Sequence, residues 1–217
     1  MDAWDRVFDD NAARWSQPSH LVVTFAGRFP RGALVNGLDV GCGIGRHLVY
    51  LAGLGWTMAG LDASPKALDK ARQALSAAGL DAVLDEGDMT RLPFPDGAFD
   101  AVLGMYTLHH GTLTSVQRGI DEIWRVLRPG GLACLALPSN RHWRYGEGTQ
   151  IEAGTYIHTA GGDVGVPHHY FDRAGLLAAM QCFQCLDLHC EEDEREPGRN
   201  RSIWEGVFKR LPHEPKS

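Results

Sequence analysis

The chain has 217 residues, enough for one domain, or one domain with an insertion, around a sizeable core. Its 44% hydrophobic and 22% charged content suits a globular protein, and no apolar run approaches the length of a membrane span. A net charge of −6 lacks the basic surface with which proteins grip phosphates, which disfavours nucleic acid as a partner.

Residues 2–15 place Trp4, Val7, Phe8, Ala12 and Trp15 at helical spacing among acids, predicting an amphipathic N-terminal helix. It either covers the core or closes over a ligand, with Trp15 as the residue to test. The start, Met1-Asp2-Ala3-Trp4-Asp5-Arg6, has no basic stretch followed by an apolar one, so the cytoplasm is expected rather than secretion. Residues 19–29 read as a second helix despite a β-branched pair, and residues 1–30 together form a helical cap on a domain spanning 31–217. From there strands are expected at 34–40, 56–61, 81–85, 98–105 and 131–137, with helices at 46–54, 65–78 and 115–127 between them. Such alternation predicts a parallel sheet with helices on both faces. Residues 139–170 lose all period and are rich in Gly, Thr, His and aromatics, so they are expected to be a lid-like insertion or a poorly ordered one. A helix at 172–180 and two strands, 183–190 and 202–209, flanking a charged turn complete the order. The Arg141–Arg144 and 195–201 charge clusters read as solvated loop.

Five cysteines, an odd count, argue against a complete disulfide framework. Cys182-x-x-Cys185 with His189 and Cys190 invites a metal reading, but a strand through 183–190 sends Cys185 and Cys190 to opposite faces, so no metal is expected. Cys42 reads as packing within its turn.

The most informative stretch is Leu38-Asp39-Val40-Gly41-Cys42-Gly43-Ile44-Gly45-Arg46, an apolar strand entering a turn with glycine at alternate positions. Glycine lets bare backbone approach a ligand, and the helix that follows offers unpaired N–H groups. Arg46 and His47 stand where a dinucleotide site needs its third spaced glycine. An acid two residues before the first glycine suits a cationic ligand better than a pyrophosphate. Further acids follow the next two strands: Asp62, 17 residues past Gly45, and Asp88 in Glu86-Gly87-Asp88-Met89. Asp62 has the spacing at which a carboxylate meets a ribose diol. A Pro129-Gly130-Gly131 turn leads into the fifth strand.

In this order the motifs resemble the class I S-adenosylmethionine-dependent methyltransferases, over about half the chain (residues 38–137). The resemblance implies a Rossmann-like, doubly wound α/β sheet of seven mostly parallel strands, the last antiparallel, with the insertion after strand five. It implies S-adenosylmethionine as cofactor and S-adenosylhomocysteine as product. Gly41, Gly43 and Gly45 would line the methionine part, with Asp39 behind them. Asp62 would take the ribose hydroxyls, Ala63 and Ser64 would follow along the adenosine, and Asp88 with Met89 would hold the adenine edge. Met105 would offer backbone to the methionyl ammonium, and Arg46 would reach its carboxylate or face solvent. Trp15 would close the site.

The acceptor would lie beyond strands four and five, under the insertion. Methyl transfer from a sulfonium needs mainly positioning, and a base only where the acceptor loses a proton. His110, His169 and Tyr106 are the candidate catalytic groups; Arg141, Arg144, Tyr145, His168 and Tyr170 are the candidates for binding substrate. Four histidines near one pocket would also suit a metal-bearing substrate, although no spacing is diagnostic of a metal. A small-molecule methyl acceptor is the leading expectation for a monomer or homodimer. The alternatives are a tRNA or protein acceptor, and a non-catalytic subunit that binds a partner; the intact acids and glycines weigh against the last.

Overall fold

The structure is a computed structural model that describes Trp4 and residues 17–212, apart from Gly162 and the side chain of Arg195. Trp15, and the rest of the helix expected over 2–15 except Trp4, lie outside the described residues.

The described helices are α1 (His20–Ala26), α2 (Arg46–Gly53), α3 (Pro65–Ala77), α4 (Leu113–Val126) and α5 (Arg173–Ala179). The main sheet holds β1 (Asn36–Val40), β2 (Thr57–Asp62), β3 (Val83–Glu86), β4 (Phe99–Met105), β5 (Leu127–Pro138), β9 (Phe183–Glu196) and β10 (Arg199–Arg210). Its order is β3-β2-β1-β4-β5-β10-β9. The first five strands are parallel, and β10 runs antiparallel between β5 and β9. The expected doubly wound α/β sheet is therefore present, and its order reverses between β1 and β4. A crevice opens there beyond the strands' carboxyl ends, because the connections from the two strands leave to opposite sides.

Side-chain alternation along the strands divides the core in two. On one face Leu38, Val102 and Leu135 pack with Val116, Ile120 and Ile123 of α4 and Leu176 of α5. On the other, Ala101, Leu103 and Cys134 pack with Val22 and Phe25 of α1, Leu48 of α2 and Leu68 of α3. Val22 is fully buried there, which explains why α1 tolerates its β-branched pair: burial outweighs the small propensity cost. Side-chain caps set the helix starts. Ser19 accepts from Val22 N–H, Ser64 from Ala67 N–H, Thr112 from Ser115 N–H and Asp172 from Gly175 N–H.

The structure corrects the expected borders in three places. The fourth helix begins at Leu113 because Thr112 caps it. β5 starts at Leu127 and absorbs the Pro-Gly-Gly turn as an irregularity, Phe99 pairing with Leu127 and Ala101 with Leu132. The charged turn of the last hairpin shrinks to Pro197-Gly198, since β9 and β10 continue outward with Arg201 opposite Asp193 and Arg199 opposite Glu196. Opposite charges facing across an exposed ladder stabilise strands that composition alone assigns to a loop.

The insertion is ordered as a second sheet, β6 (Thr149–Glu152), β7 (Thr155–Ile157) and β8 (Pro167–His169), all antiparallel. Backbone bonds from His169 N to His109 O and from Gly111 N to Pro167 O, both 2.8 Å, clamp β8 onto the segment after β4. No helix among the described residues is long and apolar enough to cross a membrane. All five cysteines are free thiols, and β9 carries Cys185 and Cys190 as expected.

Candidate active site

The turn after β1 is built by hydrogen bonds to the neighbouring strand. Gly41 N and Cys42 N both donate to Leu61 O, at 2.7 and 3.0 Å, and Gly45 N closes the turn onto Cys42 O. Gly41, Gly43 and Gly45 all have positive φ (72°, 54° and 84°), so the sequence needs glycine for the bend itself. Gly45 also caps α2 and meets Ala71 of α3, where an added Cβ would stand 2.9 Å from the Ala71 Cβ. It serves packing, whereas Gly41 and Gly43 line a cavity of about 790 Å³.

Asp62, at the end of β2, ties this turn to the next helix. Its two oxygens accept from Gly43 N at 2.8 Å and Ser64 N at 2.9 Å. Burial pushes its carboxyl up, while these two N–H groups hold it down. Each oxygen keeps a lone pair for a ligand hydroxyl. Ala63 lines the cavity beside it, and Asp88 and Met89 line it after β3, with Asp88 fixed by Thr90 N–H and the Thr90 hydroxyl. Ser64 is buried as the helix cap and lies outside the cavity wall.

Asp39 is fully buried behind the turn, and neither of its oxygens has a hydrogen-bond partner among the described residues. The nearest donor is His47 Nδ1, at the ion-pair distance of 3.5 Å. Because His47 Nε2 accepts from Ser19 N–H, a neutral His47 carries its proton on Nδ1, facing Asp39. A buried carboxylate without a hydrogen-bond partner, beside a glycine turn, favours a cationic group in front of it. The residues present thus fit a nucleoside joined to an ammonium-bearing chain. Arg46 and Met105 also line this end.

The far end of the cavity is lined by Tyr106, His109, His110, His142, His168 and Tyr170. Tyr106 has φ 61°, the one positive value at a non-glycine among the described residues. Its hydroxyl is bonded to Arg201, whose guanidinium also lies 5.4 Å from its ring centroid. Backbone in that region is held only where the surroundings over-determine it, and here the Arg201 bond and the pairing of Tyr106 N with Ala136 O do so. Burial and the neighbouring His168 bring His110 down to about 3. A base that weak is poorly matched to neutral pH. Burial brings His142 and His158 down to about 4.

Several candidates fall elsewhere. His169 points off the cavity: its Nδ1 is 2.7 Å from the Thr155 hydroxyl and its ring packs edge-on against Phe171. Adjacent residues of a strand face opposite ways, so only His168 of the pair reaches the cavity. Arg141 is half-exposed and pairs with Glu192 at 3.2 Å. Tyr145 lines a separate groove beside α4. Arg144 reaches the cavity, but its guanidinium is engaged by Ala160 O at 2.6 Å and Asp163 at 3.3 Å, which leaves little of the fork for an anionic acceptor. Arg201, Asp163 and Glu205 also line the cavity, and no local pattern in the sequence marks them for it. Arg201 sits within the cluster read as solvated loop, and the pairing of β10 with β9 sets it opposite Asp193.

Glu205 of β10 lines the cavity and is buried. Burial and the adjacent Glu191 push its carboxyl from 4.5 up to about 7. The folded chain then keeps a proton that the unfolded chain has released, so this group makes stability fall as pH rises through that window. Glu205→Gln removes the loss. Thermal melts of both proteins should differ little near pH 4.5 and increasingly favour the variant up to pH 7.5. A difference independent of pH would contradict the assignment.

The chain is similar to known methyltransferases. The profile of the methyltransferase domain family matches residues 38–131, from β1 into β5. An uncharacterised methyltransferase of Synechocystis sp. is 42% identical over 106 residues, 48% of this chain and 48% of that protein. The demethylmenaquinone methyltransferase of Deinococcus radiodurans is 38% identical over 104 residues, 46% of this chain and 42% of that protein. The chain spans about half the length of these curated relatives. A solved structure described as an S-adenosylmethionine-dependent methyltransferase, from Methanosarcina mazei, is similar in fold. Its TM-score is 0.76 at 22% identity, covering 91% of this chain and 100% of that one.

Proposed function

We propose that the chain carries a class I S-adenosylmethionine-dependent methyltransferase domain and that it methylates a small-molecule acceptor. The observation that carries the reading is one continuous cavity with two different ends. Gly41, Gly43, Asp62, Asp88 and Met89 line the first, and Tyr106, His109, His110 and Tyr170 line the second. Its size of about 790 Å³ falls within the range of small-molecule sites.

When bound, S-adenosylmethionine supplies a methyl group already activated by the positive sulfonium. Asp62 would hold the ribose hydroxyls, Asp88 and Met89 the adenine edge, and the turn from Gly41 to Gly43 the amino-acid part, with Asp39 favouring its ammonium. Tyr106, fixed by Arg201, would set the boundary between the two ends. The insertion would seat the acceptor and keep water out, so that proximity and orientation supply most of the rate. His110 would then serve as a contact rather than as a base of matched pKa.

The acidic chain and the demethylmenaquinone named for the Deinococcus relative support a small organic acceptor. The test is release of S-adenosylhomocysteine from S-adenosylmethionine, with panels of phenols, quinols, thiols and amines beside bulk tRNA. Turnover with a member of the small-molecule panel is expected. Turnover with tRNA alone would overturn the acceptor class, and none with any acceptor would favour a partner-binding subunit.

A further inference from the structure

We propose that His109, His110 and His168 form a binding site for one divalent transition-metal ion at the second end of the cavity. Only the ion's position beside the acceptor rests on the proposed function; the binding itself does not. The three residues each offer a ring nitrogen, and these nitrogens lie within 4.8 Å of one another. Imidazole nitrogens about 2.1 Å from a tetrahedral ion stand roughly 3.4 Å apart, so a side-chain rotation closes the shell.

The backbone holds the three residues ready. His109 N and His110 N both donate to Thr107 O. An antiparallel bridge joins His110 to His168, flanked by the bonds of His169 N to His109 O and Gly111 N to Pro167 O. The rings come from two segments about sixty residues apart in sequence, yet neighbouring centroids are 3.8 and 4.9 Å apart.

Two buried ring nitrogens are open to a cation. His109 Nδ1 is buried and has no hydrogen-bond partner among the described residues. His168 Nδ1 lies 2.9 Å from Val166 O, so a neutral ring carries its proton there and its lone pair on Nε2. That lone pair faces another acceptor, Asp163 Oδ2, at 2.9 Å. Two acceptors so close require a proton or a cation between them. A ligating histidine that gives its other N–H to a backbone carbonyl is the usual outer-shell arrangement of metal sites.

The donor set narrows the ion. Three imidazoles with a nearby carboxylate and no thiolate suit zinc, cobalt, nickel or copper, and disfavour magnesium and calcium. Three protein ligands leave one position open toward the cavity, where an oxygen or nitrogen of the acceptor could coordinate.

The test uses the full chain, free of affinity histidines and stripped with chelator, titrated with cobalt(II) chloride in visible absorption and zinc chloride in calorimetry. About one equivalent is expected, with ligand-field bands in the cobalt spectrum. His168→Asn and His110→Asn should each weaken binding tenfold or more, with thermal melts checking that the variants fold. Cys185→Ser combined with Cys190→Ser should leave it unchanged. No bands and no heat would overturn the proposal. So would binding that survives His168→Asn or is lost with the two cysteines. Metal binding without S-adenosylhomocysteine binding would retain this site and reject the methyltransferase reading.

Discussion

Asp62→Ala should lose roughly a hundredfold in affinity for S-adenosylhomocysteine. The expectation follows from what the carboxylate can do after the fold has used it. Gly43 N–H and Ser64 N–H each occupy one lone pair, and Asp62 lines the cavity. A ribose diol would add two hydrogen bonds to a charged acceptor, each contributing about 1.5 kcal/mol or more, hence about two decades in Kd. The substitution also strands two buried N–H groups, so thermal stability should fall by about 1–3 kcal/mol. Calorimetry on wild type, Asp62→Ala and Asp62→Asn separates the two effects. The asparagine keeps an acceptor for one N–H and should recover stability more than affinity. An alanine variant that binds within threefold of wild type would remove Asp62 from the cofactor site.

Gly41→Val should be the most damaging change to stability in the turn. Gly41 has φ 72°, a region that costs a β-branched residue roughly 1–2 kcal/mol. A Cβ there would stand 2.1 Å from the Thr107 hydroxyl oxygen and 2.6 Å from the Thr107 methyl, an overlap that the segment after β4 must move to relieve. Overpacking of that kind costs about 1–3 kcal/mol more. The sum, on the order of 3 kcal/mol, corresponds to a melting temperature lower by roughly 10 °C for a chain of this size. Gly79→Val is the control: its φ is 67°, but nothing lies within 4 Å of an added Cβ. It should show the backbone cost alone, about half the loss or less. Equal losses at the two positions would mean that contact with Thr107 adds nothing.

The first half of the site was legible because its determinants are local. An apolar strand, a glycine turn and acids at two strand ends lie in one stretch, and the fold brings them together through parallel pairing of β1 with β2 and of β2 with β3. The second half depends on long-range pairing. His168 and His169 are equivalent as neighbours in sequence; only the pairing of β8 with β7 turns one to the cavity and the other to Thr155. Arg141 and Arg144 differ in the same way, since Glu192 draws one outward and Asp163 holds the other inward. Arg201 reaches Tyr106 because β10 returns antiparallel beside β5, a register that no local pattern announces. The insertion lacked period because its strands are three or four residues long, too short for alternation to show.

Cofactor binding is tested by a calorimetric titration of the wild-type chain, in chelator-treated buffer, with S-adenosylmethionine and S-adenosylhomocysteine. Saturable binding of both is expected at about one equivalent, with micromolar affinity or better. Absence of heat with either ligand would contradict it, leaving the sheet and its glycine turn as a fold whose cavity serves something else.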